Sequence, residues 1–184
     1  WFEGIFPMVP GHEIVGEVTA VGSAVTKFQV GERVGVGTFV DSCRECEYCK
    51  LGMENDCLRG NVQTYNGRHY DEAPTYGGYA QDIVVDQNYV LKVSTKIDAA
   101  NAAPLLCAGV TLWSPLKHWQ VGPGKRVAIL GLGGLGHMGA KFAVAMGAET
   151  YVLGHSPAKA ADAKEFGAKE YLITSEAFET HKNS

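Results

Sequence analysis

The sequence predicts a mixed chain: an all-β part followed by an α/β part built on a parallel sheet. Two textures predict it. Residues 14 to 40 are short valine-rich runs broken by glycine, "IVGEVTAVG" and "KFQVGERVGVG" among them. Near-alternation of apolar and polar residues between regular turns suggests a small twisted antiparallel barrel. After "VGPGK" (121–125) the texture changes, and apolar strands alternate with helical stretches. Strand–helix alternation of that kind means βαβαβ and a parallel sheet. The boundary is placed between residues 120 and 121, giving parts 1–120 and 121–184.

The elements follow in order. After the first β runs, "GGYAQDIVVDQNYVLKV" (77–93) predicts two further strands of the same kind. From about residue 99, "AANAAPLLCAGVTLWSPLKHW" is helix-like, punctuated by Pro104 and Pro115. "RVAIL" reads as a parallel-type strand, "GGLGHMGAKFAVAMG" as a helix and "TYVLGH" as a second strand. "SPAKAADAKEFGA" is a further helix and "EYLIT" a third strand. In the first of these helices Leu135, Met138, Phe142 and Met146 are spaced to face a sheet.

Composition narrows the function classes. With 46% hydrophobic and 10% aromatic residues, the chain buries a core without crosslinks. A net charge of −4 and no Lys/Arg run argue against a nucleic-acid or anionic-membrane surface. No apolar run approaches the roughly 18 residues of a membrane span, and no signal-peptide pattern opens the chain. A reducing, cytoplasmic setting is the expectation. The chain opens on Trp1 rather than Met, which predicts a processed chain or a fragment.

Four of the five cysteines, Cys43, Cys46, Cys49 and Cys57, fall within fifteen positions, separated by two, two and seven residues. A reducing compartment disfavours disulfides, and an odd count leaves one thiol over. The C-x-x-C-x-x-C run also resembles an iron–sulfur ligand set. Four thiolates from one short Gly-, Glu- and Asn-rich lobe suit a closed tetrahedral zinc site better, one that pins a loop and does no chemistry.

"GLGGLG" places Gly131, Gly133 and Gly136 between an apolar strand and a helix, with Gly134 and Leu135 among them. In that setting the first glycine makes the turn, the second admits a pyrophosphate and the third packs helix on strand. The free N–H groups of the helix start then face the anion. The second strand ends in Gly154-His155-Ser156-Pro157-Ala158-Lys159, where an NAD site would carry an Asp or Glu. Glu149 comes too early and Asp162 too late. Ser156 and Lys159 suit a 2′-phosphate, so NADP(H) is the expected cofactor; the bland alternative for Lys159 is a solvated helix residue.

The last constellation is "VPGHEIVGEV" (9–18), where His12 and Glu13 open a strand after a Pro-Gly turn, together with Cys107 in "AAPLLCAGVT". A histidine and a cysteine are two of the three protein ligands of a catalytic zinc, although spacing alone does not pair them.

Taken in order, "PGHEIVGEV", "GVGTFVDSCRECEYC", "TYNG", "GGYAQDIVV", "AAPLLCAGVT" and "GLGGLGHMGAKFA" closely resemble the signatures of the medium-chain zinc-dependent alcohol dehydrogenases, in their cinnamyl-alcohol-dehydrogenase-like branch. The resemblance covers essentially the whole chain. It implies a partial GroES-like barrel as catalytic domain (1–120, with the zinc lobe at 43–57) and the first half of a Rossmann domain (121–184). It implies that His12 and Cys107 ligate a catalytic zinc, with Glu13 able to approach the metal, and that Thr111 neighbours the nicotinamide. Ser156 and Lys159 fall where the branch holds the 2′-phosphate, although Gly154 and His155 replace hydroxyls seen in some members. Thr38 and Val62 are expected along the substrate pocket.

The resemblance further implies reversible hydride transfer between NADP(H) and a small primary alcohol or aldehyde, in a parent that is a homodimer. The family's remaining catalytic-zinc cysteine and proton-relay residues are expected upstream of Trp1. The nicotinamide half of the Rossmann domain is expected beyond residue 184, so the chain alone is not expected to turn over. Two rivals are a non-catalytic zinc-binding module, which "GLGGLG" opposes, and a zinc-free quinone or enal reductase, which His12 and the cysteine lobe oppose.

Overall fold

The computed structural model describes residues 3–175, which fold as two compact units divided between Cys107 and Ala108. The division falls after Cys107 rather than at the change of texture after residue 120. The helix that opens the second unit packs within it, Leu112 lying against Gly139 and Trp113 edge-on to Phe142 at 5.8 Å.

In the first unit β1 (Ile14–Glu17) pairs antiparallel with β2 (Arg33–Val36), which pairs in turn with β5 (Leu91–Lys92). A second small sheet joins β3 (Phe39–Asp41) to β4 (Val62–Gln63) across a register shift. Val36, Val40 and Val62 form the buried cluster, with Ile14, Val85 and Val90 packed on it. Alternation explains this choice, since only every second residue of these valine-rich strands faces the core. Between β3 and β4 lie the short helix α1 (Glu47–Lys50) and a 3-10 turn, Glu54–Asp56. Further on come α2 (Ala99–Ala102), capped by the Asp98 side chain on the Ala100 N–H, and a 3-10 turn at Ala103–Leu106.

One predicted strand is absent. Residues 77–85 carry no strand assignment, Val84 is fully exposed and Tyr79 is 80% exposed. The double glycine instead packs on a neighbouring loop. A Cβ on Gly77 would strike the Gly11 carbonyl, and one on Gly78 would strike the Ile14 side chain.

The second unit opens with α3 (Ala108–His118) and then runs β6 (Arg126–Leu130), α4 (Gly134–Ala145), β7 (Glu149–Gly154), α5 (Ala160–Glu165) and β8 (Glu170–Ile173). The sheet is parallel throughout in the order β6-β7-β8, the expected βαβαβ. Among the described residues β6 is an edge strand, and its Leu130 is 79% exposed.

The helix face differs from the expected one. Leu135 is half exposed and Phe142 turns to Trp113, whereas Gly139, Ala140 and Ala143 are buried. Ala140 and Ala163 join Val152 in the core, each with no exposed surface. Small residues win because they let the helices lie close to the sheet. A larger side chain there has no room to relax, and overpacking costs about 1–3 kcal/mol. Ala163→Leu is therefore expected to lower the melting temperature by several degrees. Ala161→Leu, on the exposed side of the same helix, is expected to leave it within error in parallel calorimetric scans.

Candidate metal centre and dinucleotide turn

The metal lobe is assembled by short-range geometry. Arg44 adopts a positive φ of 60°, which turns the chain sharply after Cys43. Cys46 then caps α1 and Cys49 follows within it, one helical turn apart on the same face. Gly52, at a φ of 73°, turns the chain after α1 so that Cys57 closes the group, and Gly60, at 81°, turns it again beyond that cysteine. The four sulfurs all lie within 4.8 Å of one another, with Cys43 and Cys49 separated by 3.9 Å. Zinc–sulfur bonds of about 2.3 Å in a tetrahedron give edges of about 3.8 Å. Disulfides need about 2.05 Å, and all five cysteines are free thiols. The enclosed space suits a single ion and leaves none for a multi-iron cluster between the sulfurs.

The lobe is prepared for thiolates. The Cys43 N–H points at Cys57 Sγ and the Cys46 N–H at Cys43 Sγ, both at 3.4 Å. The backbone N–H of Cys43 is the main reason the Cys57 thiol falls to about 6. Cys49 is pulled two ways. The Ser42 hydroxyl favours its thiolate, whereas desolvation and the neighbouring sulfurs raise the thiol, to about 11 on balance. Four such groups do not all ionise side by side without a cation among them.

The glycine turn is also built as expected. Gly131 has a φ of 86°, and its N–H donates to the Leu153 carbonyl at 2.7 Å. Gly133 occupies the N-cap of α4 without any side-chain cap, leaving N–H groups of the first turn free. A Cβ on Gly136 would collide with the Gly131 carbonyl oxygen, so this glycine is required by close packing. Gly133 and Gly134 meet nothing within 4 Å, so the space before them is open. Leu135 lies beside it and Thr111 is an exposed residue of α3.

At the tip of β7, Gly154 and His155 lead into Ser156, whose carbonyl accepts from the Tyr171 hydroxyl at 2.8 Å. Residues 154–159 of this tip include no Asp or Glu. Lys159 is exposed and reaches Asp162 at 3.4 Å.

The remaining expected site residues are placed separately. His12, half-buried, stacks flat on Tyr65 with ring centroids 5.8 Å apart and a 6° interplanar angle. His12, Glu13, Tyr65 and Tyr79 help to line a cleft of about 430 Å³. Burial raises the half-buried Cys107 thiol, and the charge of Glu13 raises it further. Among the described residues only the four lobe cysteines gather as a metal-ligating group; His12, Glu13 and Cys107 do not. Val62, expected beside substrate, is 4% exposed and belongs to the core, while Thr38 lends its carbonyl to the Thr64 N–H. Sequence reading missed Ser42, Tyr89 and Tyr70 around the sulfurs and Tyr65 against His12. No spacing rule marks a lone serine or tyrosine as a metal or histidine neighbour.

A β-rich unit carrying a four-sulfur lobe, followed in sequence by a parallel βαβαβ unit with a glycine turn, defines a two-part α/β protein. The sequence profile of the alcohol dehydrogenase GroES-like domain matches residues 2–95, and the chain belongs to this alcohol dehydrogenase family. It is 60% identical over 176 residues to a probable formaldehyde dehydrogenase of Bacillus subtilis, covering 96% of this chain and 50% of that one. It is 56% identical to an NADP-dependent alcohol dehydrogenase C of Mycolicibacterium smegmatis, over 96% of this chain and 51% of the other. The fold matches a solved CAD of Helicobacter pylori complexed with NADP(H), with a TM-score of 0.89 and 47% identity, over 94% of this chain and 50% of that one. A cinnamyl alcohol dehydrogenase of Sorghum bicolor matches at a TM-score of 0.90, again over 94% and 50%. The chain thus spans about half the length of these relatives. Among its described residues no helix is long and apolar enough to cross a membrane.

Two outcomes are expected. Metal analysis of the purified chain should find about one tightly held zinc. Cys43→Ser should reduce this to near zero and destabilise the lobe, while Cys107→Ser leaves it unchanged. Gly136→Ala, which forces backbone against backbone, should cost at least about 2 kcal/mol in chemical denaturation.

Proposed function

We propose that this chain is part of a zinc-dependent alcohol dehydrogenase that moves hydride between NADP(H) and a small primary alcohol or aldehyde, of the cinnamyl or simple aliphatic kind. The observation that carries the reading is a glycine turn together with a β7 tip whose residues 154–159 include no Asp or Glu, in a chain 56% identical to an NADP-dependent alcohol dehydrogenase.

In this reading the open face before Gly133 and Gly134 receives the pyrophosphate, to whose oxygens the uncapped N–H groups of α4 donate. Ser156 and Lys159 hold the 2′-phosphate, Lys159 exchanging its exposed partner Asp162 for a more highly charged one. An Asp or Glu among residues 154–159 would repel that phosphate, and this segment has none. Thr111 is assigned to the nicotinamide end of the cofactor.

His12 and Cys107 are the donors assigned to a catalytic zinc, which when bound supplies Lewis acidity toward the alcohol or carbonyl oxygen. Nitrogen and sulfur donors suit zinc, and Glu13 lies near enough to Cys107 to influence its proton. Among the described residues they form no gathered set, so the pair alone holds metal far more weakly than the lobe does. Tyr65, flat against His12, fixes the plane of the imidazole. The cleft beside them gives a small alcohol or aldehyde a place to lie.

Cofactor choice is testable with the purified chain. Calorimetric titration is expected to show adenosine 2′,5′-bisphosphate binding more tightly than 5′-AMP. Lys159→Ala should erase several-fold of that preference while leaving 5′-AMP almost unchanged. Equal losses for the two nucleotides would make Lys159 a solvated helix residue and remove the basis for NADP. The activity itself is read from NADPH absorbance with an aromatic aldehyde, using the full-length protein.

A further inference from the structure

The sulfur cluster has a hydroxyl neighbour that the ligand set does not account for. Ser42, 2% exposed, places Oγ 3.2 Å from Cys49 Sγ and 2.7 Å from the hydroxyl of Tyr89, itself 8% exposed. A serine hydroxyl has one proton and can donate to only one of these partners. If Cys49 is a thiol, it can donate to Ser42, and Ser42 can donate onward to Tyr89. If Cys49 is a metal-bound thiolate, it has no proton, and both contacts survive in one direction only, Tyr89 to Ser42 to Cys49.

The other sulfurs are served differently. Cys57 and Cys43 face backbone N–H groups. The Tyr70 hydroxyl is 3.8 Å from Cys57 Sγ but 2.6 Å from the Gly60 carbonyl, so its proton goes to the carbonyl. Among the described residues Ser42 is therefore the side-chain hydroxyl committed to a sulfur.

Tyr89 is itself held in place. Its ring is edge-on to Phe39 of β3, and the Arg44 guanidinium lies over it at 5.4 Å. Arg44 pairs with Asp41 at 2.7 Å and with Asp86 at 3.0 Å. The hydroxyl chain thus begins on a residue anchored to the β unit and ends on a lobe sulfur.

We propose that Tyr89 and Ser42 form a one-way hydroxyl relay that positions Cys49 and stabilises its thiolate in the metal-loaded lobe. Both are positioning residues: Ser42 acts through the sulfur and Tyr89 acts through Ser42. The inference rests on the reading of the lobe as a zinc site. Outer hydrogen bonds of this kind are worth roughly 10–100-fold in metal affinity. An O–H donor withdraws electron density from the sulfur, so its loss should also shift the sulfur-to-metal charge-transfer energy.

The test uses the purified chain loaded with zinc, or with cobalt(II) as an optical reporter. Zinc release to a chromogenic chelator is expected to be about tenfold faster in Ser42→Ala than in the parent. Ser42→Thr should recover most of that loss, and the cobalt charge-transfer band should move to longer wavelength in Ser42→Ala alone. Tyr89→Phe keeps the ring and its packing, and should speed release only a few-fold. In the Ser42→Ala background it should add nothing, because the relay is already cut. The proposal is overturned by zinc release in Ser42→Ala within twofold of the parent and an unmoved cobalt band. It is equally overturned if Tyr89→Phe acts by the same factor in both backgrounds. Failure of the parent chain to hold one zinc would overturn the zinc reading itself, and the two failures are distinguished by metal content measured before any variant is made.

Discussion

Four cysteine sulfurs held within 4.8 Å of one another are a problem in electrostatics before they are a metal site. Fully ionised without a cation they would repel strongly, and fully protonated they would offer nothing to a metal. The surrounding chain is arranged around that tension. Arg44 accepts a positive φ so that Cys43 and Cys46 can face each other, and α1 amounts to one turn, enough to bring Cys49 beside them. The hydrogen bonds that lower Cys57 and the burial that raises Cys49 describe a group that is incomplete without a cation. A metal there would stabilise the loop of residues 42–61 between β3 and β4.

Legibility in the sequence followed the range of the interactions. The βαβαβ unit could be read because its signals are local: an apolar strand, a glycine turn and a helix, repeated. The cysteine spacing could be read for the same reason. The segment 77–85 could not. Its alternation suggests a strand, but alternation says nothing about whether a neighbour is present to pair with it, and here Gly77 and Gly78 are packed on the Pro10–Gly11 loop instead. Val62, expected beside substrate, is found in the core cluster, and a valine reads the same in either place. The face of α4 was misread because apolar size drew attention to Leu135 and Phe142. The sheet instead selects for Ala140 and Ala143, which fit.

The candidate site divides along the same line. Cys43, Cys46, Cys49 and Cys57 are found by counting, whereas Ser42, Tyr89 and Tyr65 are found only once the chain has folded. Ser42 adjoins Cys43 in sequence but serves Cys49, and Tyr89 reaches it from 47 residues away. His12 and Cys107 rest on family resemblance and on the influence of Glu13 at Cys107, a weaker footing than the gathered sulfurs of the lobe.

The glycine turn shows how a binding surface can be argued from what the protein itself does not require. Gly131 is demanded by its backbone angle, and Gly136 by the carbonyl it packs against. Any protein with a tight strand-to-helix turn would need both. Gly133 and Gly134 are different. Gly133 has a φ of −99°, which any residue tolerates, and an added Cβ at either position would meet nothing. Folding alone gives no reason for glycine at either place, and an alanine at 134 would favour the helix by up to about 1 kcal/mol. On the proposed reading, this open backbone is where the dinucleotide's pyrophosphate approaches. The uncapped N–H groups of α4 would favour such a negatively charged group.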